Sequence, residues 1–160
     1  MPIGNPSSGA WRDAGFKMPF RYIEDIATAD VAFEAWGETL EDLCVAAADA
    51  TMNVMVEVLD TIEPRVTKEL CLEADTAEML LFELLQELIF WKDAEQLLLR
   101  VIAARIRQEE GRFFLVARAA GERLDPEKHE LVVDVKAVTF HRYRVEPAAR
   151  GWEATVILDI

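Results

Sequence analysis

Two aspartates stand where hard-oxygen chemistry could be assembled from few residues. Asp30 opens a strand-like stretch at Thr28-Ala29-Asp30-Val31, and Asp159 is the penultimate residue of the ending Val156-Ile157-Leu158-Asp159-Ile160. Asp159 and the terminal carboxylate of Ile160 are adjacent anionic oxygen donors. If the last strand pairs beside the second, Asp30 joins them. By period-2 alternation Asp30 shares a face with Glu34, and Asp159 shares one with Glu153 and Thr155. Both are the more polar faces of their strands. Three oxygen ligands with no thiolate nearby suit Ca²⁺ or Mg²⁺ rather than zinc. The same residues have a plainer assignment, with Asp30 as a turn or cap residue and Asp159 as an ordinary end charge. Spacing alone leaves both open.

The remaining reactive residues narrow the chemistry by what they lack. The two histidines, His129 and His141, have no zinc-protease spacing. His129 follows the turn residues Asp125-Pro126 and is expected to be exposed. His141 ends a mostly apolar stretch and is expected to be a hydrogen-bonded structural group. Lys136, inside Val133 to Val138, is expected to be a satisfied edge lysine. The only serines, Ser7 and Ser8, lie in the N-terminal stretch, which argues against a serine nucleophile. The glycines after residue 20 are isolated, so no phosphate-binding loop or dinucleotide fingerprint can be built. Cys44 and Cys71 are too few and too far apart for a disulfide scaffold or a zinc clip, and read as buried thiols in a reducing cytoplasm. With 30 acidic and 17 basic residues, the net charge is −13. Such a chain repels phosphate backbones at long range, so no strong direct nucleic-acid binding is expected. Arg100, Arg105, Arg107, Arg112 and Arg118 form at most a local basic face, and more simply a solvated strand face.

The elements that must hold these residues are legible from periodicity. Of 160 residues, 1–17 are rich in Gly, Pro and Ser and read as a disordered tail, followed by one domain over 18–160. Strands are expected at Phe20 to Ile26 and Val31 to Trp36. Thr39 is a plausible N-cap for a helix carrying an apolar stripe from Leu40 to Val58 and ending near Leu59. A strand follows over Val66 to Ala74. Asp75 and Glu78 have capping-box spacing before a second helix, Thr76 to Lys92, whose broader apolar face predicts the deeper burial, between sheets. Leu97 to Arg107 and Arg112 to Ala120 flank Glu110-Gly111 as a hairpin. Leu131 to Val145 reads as one long, bent strand, and Trp152 to Leu158 alternates as the last. Strands with segregated helices make an α+β domain. No apolar run reaches the roughly 18 residues of a membrane span.

Four motifs, taken in order, resemble a known family. They are Thr28-Ala29-Asp30-Val31, Asp125-Pro126-Glu127-Lys128-His129, Val135-Lys136-Ala137-Val138-Thr139-Phe140-His141 and Val156-Ile157-Leu158-Asp159-Ile160. Together they resemble archease over residues 19 to 160. The resemblance implies an α+β fold of strand-helix-strand-strand (SHS2-like) type, with two helices packed on antiparallel or mixed β-sheet. It also implies a non-catalytic role: activating an RtcB-type tRNA-splicing RNA ligase by promoting its guanylylation and turnover. Chaperoning of a tRNA cytosine methyltransferase is the alternative. A divalent-metal site, Ca²⁺ with Mg²⁺ or Mn²⁺ as substitutes, is implied at Asp30, Asp159 and Ile160. Two positions depart from the family pattern. Ala27 stands where a histidine is usual, which removes a polar group beside Asp30, and Phe140 stands for a tyrosine. A rival reading from another class is a metal-dependent hydrolase using Asp30 and Asp159, but no residue constellation supplies an obvious base.

Overall fold

The computed structural model describes residues 19–23 and 30–160. The expected tail over 1–17, the end of the first strand, and Ala27, Thr28 and Ala29 lie outside the described residues.

Strands β1 (Phe20–Ile23) and β2 (Asp30–Gly37) precede helix α1 (Leu40–Met55). Strand β3 (Val66–Ala74) leads into helix α2 (Ala77–Glu95), and then come β4 (Leu97–Glu109), β5 (Arg112–Arg123), β6 (Ala137–Ala148) and β7 (Gly151–Asp159). The strands form two sheets, in the orders β1-β2-β7-β6 and β3-β5-β4. Every pairing within them is antiparallel, so the mixed alternative falls away. The helices join the sheets. α1 packs on β2 and β7 of one sheet and on β4 of the other, while α2 packs on β3, β4 and β5 and on β6. The fold is α+β, as expected.

Both helices bury most of their circumference, because each has a sheet on two sides. α1 does so with small residues: Ala46, Ala47, Ala48 and Ala50 are buried and let strand backbones approach. α2 does so with Leu80, Leu81, Leu84, Leu85 and Leu88. The expectation that α2 is the more buried helix is wrong. α1 has fewer exposed positions, because alanine buries without advertising an apolar stripe. Within α1, Asp49 is only 1% exposed and meets Arg100 of β4 through two bonds, at 3.1 and 3.0 Å. This buried, bidentate pair ties the helix to the second sheet.

Several boundaries differ from expectation for local reasons. Thr39 does cap α1, accepting from the Asp42 amide at 3.0 Å. α1 ends at Met55 rather than Leu59. The Asn53 side chain donates to the Val56 and Glu57 carbonyls, and the Glu57 amide turns away to the Glu130 carbonyl. Leu59–Thr61 is a short 3-10 turn. The N-cap of α2 is Thr76, not Asp75: its hydroxyl accepts from the Met79 amide, while Asp75 pairs with Arg112 at 2.6 Å. Residues 131–136 are not strand. Leu131 makes an isolated bridge to Val56, and β6 begins only at Ala137. Glu110 and Gly111 form the expected two-residue hairpin, with φ of 50° and 81°. Positive φ at both positions is what such a turn requires. Cys44 is buried, and burial, with Glu41 adding to it, pushes its thiol up to about 12; Cys71 is exposed, against expectation. Among the described residues, no helix is long and apolar enough to cross a membrane.

Candidate functional site

The pairing on which the oxygen site depends is present. β2 and β7 run side by side, and Asp30 and Asp159 are direct register partners. Ala137, the first residue of β6, sits opposite Asp159 on the other side. Cross-strand partners share a face, with Cβ atoms about 5 Å apart. Two like charges in that position oppose sheet formation unless something offsets them. Both aspartates are half-buried, and among the described residues neither side chain has a hydrogen-bond or ion-pair partner. Their shared face is less polar than alternation suggested, since Ala32 and Ile157 on it are buried.

A hard cation fits this donor set, because two carboxylates at one strand end are anionic, unpartnered and free of competing sulfur. Among the described residues, no three His, Cys, Asp or Glu side chains come together as a metal-binding group. The strands therefore supply two side-chain donors. The third expected donor, at half-buried Ile160, is a chain carboxylate rather than a side chain.

The neighbouring motif holds this end of β7 in place. The Lys136 amide donates to the Asp159 carbonyl at 2.8 Å. The preceding residues are anchored from α2, where Lys92 donates to the Val135 carbonyl at 2.9 Å and pairs with Asp134 and Asp93. Thr139 donates to the Ile157 carbonyl at 3.1 Å, and Gln86 of α2 accepts from the Val138 amide at 2.7 Å.

The histidines exchange the roles expected of them. His129 is buried, 1% exposed. Its Nδ1 accepts from the Asp125 amide at 2.9 Å, so Nε2 carries the proton and faces Glu122 Oε2 at 2.9 Å. The same Oε2 takes the Glu63 amide at 2.9 Å and Lys128 Nζ at 2.7 Å, while Arg65 reaches Oε1 at 3.2 Å. Burial alone would raise the Glu122 carboxyl, but the Glu63 amide, Lys128 and His129 outweigh it and hold it at about 2. Asp125-Pro126-Glu127-Lys128-His129 is thus a structural lock that joins its turn to β5 and to the loop before β3. A turn signal gave no hint that the histidine folds back inward. His141 is exposed, on a part of β6 that leaves the ladder. Three of the five arginines are neutralised, Arg100 by Asp49 and Asp60, Arg107 by Glu109, and Arg112 by Glu73 and Asp75. Arg105 and Arg118 are exposed on their strands without an acidic partner among the described residues, as a solvated strand face.

Comparison with known proteins decides what this arrangement belongs to. The model of the archease protein family matches residues 20–160. The chain belongs to the archease family. It is 37% identical to the archease of Pyrococcus furiosus over 134 residues, covering 83% of this chain and 94% of that one. It is 34% identical to that of Methanosarcina acetivorans over 142 residues, covering 88% and 95%. The solution structure of protein 1598 of Methanobacterium thermoautotrophicum superposes with a TM-score of 0.77 at 30% identity, covering 90% of this chain and all of that one. The crystal structure of an archease from Thermotoga maritima, described as a possible chaperone, shares the fold at a TM-score of 0.53 and 23% identity, over 83% of this chain and 92% of that one. Archease membership carries a non-catalytic, regulatory role in tRNA processing.

Proposed function

We propose that this archease activates an RtcB-type RNA ligase, promoting its guanylylation and turnover, through a divalent-cation site formed by Asp30, Asp159 and the terminal carboxylate of Ile160. The observation that supports the site is the β2–β7 register, in which the two aspartates face each other with no partner among the described residues. A cation, with Ca²⁺ the best match to a flexible set of oxygen donors, supplies charge neutralisation there. The residues do the rest. Asp30 and Asp159 present their carboxylates from adjacent strands, and the Lys136 amide holds the Asp159 carbonyl, so that the chain end is aimed rather than frayed. The family resemblance supplies the partner and the role.

Asp30→Ala, Asp159→Ala and a chain with one residue added after Ile160 should each weaken Ca²⁺ binding by at least about tenfold. Each should also reduce stimulation of ligase guanylylation, with the melting temperature nearly unchanged. The added residue keeps every side chain and moves only the terminal charge. Calorimetric Ca²⁺ titration of the extended protein is therefore the decisive measurement. Parental affinity and parental stimulation there would remove the terminal carboxylate from the site.

A further inference from the structure

We infer that the part of β6 that leaves the ladder, Phe140 to Tyr143, is a docking surface for a partner protein that presents carboxylates around an apolar recess. This inference rests on the reading above, in which the protein works by binding a ligase. Thr139 pairs with Ile157 and Arg144 with Thr155, so four residues of β6 stand opposite one residue of β7. An insertion in an edge strand re-aims side chains and ends pairing locally, and such features commonly mark functional sites. Arg142 takes a φ of 54°, a left-handed conformation that a non-glycine residue adopts at a cost.

The excursion displays a rigid aromatic surface. Phe140 is 63% exposed, although its ring stacks on Phe82 of α2 at 4.2 Å and 7°. Tyr143 stands edge-on to both rings and anchors the group by donating to the Glu78 carbonyl at 2.7 Å. Phe140 is thereby fixed on one face and open to water elsewhere. A pre-ordered aromatic ring loses little entropy on binding and is the kind of residue that anchors interfaces.

Charge selects the partner. Between Asp134 and Glu146 the chain carries Lys136, His141, Arg142 and Arg144 and no carboxylate, in a protein of net charge −13. Arg144 lies 3.4 Å from Glu146, whereas the side chains of His141 and Arg142 have no partner among the described residues. A cationic, aromatic patch on an acidic molecule fits an acidic patch on another. A protein fits better than RNA, because a continuous polyphosphate would also run past the rest of a molecule of net charge −13, whereas the carboxylates of a folded partner need meet only this patch. The patch is also continuous with the aspartate pair. Ala137, the partner of Asp159, lies three residues before Phe140, about 10 Å along a strand.

The test is calorimetric titration of the full chain against the RtcB-type ligase of the same organism, and separately against a short single-stranded RNA. Phe140→Ala and Arg142→Glu should each weaken ligase binding by about tenfold or more, as loss of an interface anchor does. Arg142→Lys should stay close to the parent. Ca²⁺ affinity and melting temperature should not move, and the RNA should bind none of the proteins. Parental binding by both Phe140→Ala and Arg142→Glu overturns the surface and leaves the ligase reading standing. RNA binding that is lost with Phe140 also overturns the proposed partner class. A parent that does not bind the ligase overturns the proposed function and this inference together.

Discussion

Glu122 shows how one buried carboxylate can organise three segments. It joins the end of β5 to the loop before β3, through Glu63 and Arg65, and to the 125–129 turn, through Lys128 and His129. Its folded-state pKa, about 2, lies below the ordinary 4.5. A carboxylate with a depressed folded pKa stabilises the fold fully above its unfolded value and loses that contribution as pH falls toward the folded value. Stability from this lock is therefore complete above about pH 4.5 and is lost between there and about pH 2. Glu122→Gln should lower the melting temperature at neutral pH and flatten its decline in acid. Thermal melts of parent and variant from pH 7 to pH 3 check this. Parallel curves would show that Glu122 does not carry the acid sensitivity.

At the scale of elements, the helices are the shared core of two sheets, and their leucines are the contact surface. Leu84→Ala or Leu85→Ala should cost about 2–5 kcal/mol, the range for deleting a fully buried side chain from a packed core. Denaturant titration reads this directly, and a change below about 0.5 kcal/mol at both positions would show a loosely packed face. Backbone proximity matters as much in the second sheet. A Cβ built at Gly121 would sit 1.7 Å from the Leu98 carbonyl oxygen, where β4 and β5 pair. Gly121→Ala should therefore force the β4–β5 ladder apart and destabilise by about 3–5 kcal/mol, more than any exposed substitution.

On the scale of the whole molecule, no strand of one sheet touches a strand of the other among the described residues, and α1 and α2 each pack on both sheets. Neither sheet can lose its helices without exposing its apolar face. The Asp49–Arg100 pair adds a polar tie across the same layer. Unfolding should therefore be a single cooperative event rather than two. Near-ultraviolet and far-ultraviolet circular dichroism should give coincident melting curves. A separate early loss of β-sheet signal would show that one sheet unfolds by itself.

The amino-acid sequence by itself determined the period of each element, and with it the faces. Alternation put Asp30 with Glu34 and Asp159 with Glu153, and those assignments hold because parity along a strand is a local property. The motif order also carried the family and the α+β class. Only the tertiary structure decided that β2 lies beside β7 with the two aspartates in register, since strand neighbours are chosen by packing between residues far apart in the chain. The same holds for His129, whose turn looks exposed until Glu122 is brought to it. It holds for α1, whose alanines become deeply buried only because two sheets close on them. It holds for Phe140, because residues 131–145 read as one strand, and only pairing with β7 reveals where the ladder is broken. Local sequence sets which way a side chain points along its own strand or helix, and the long-range contacts set what it meets there.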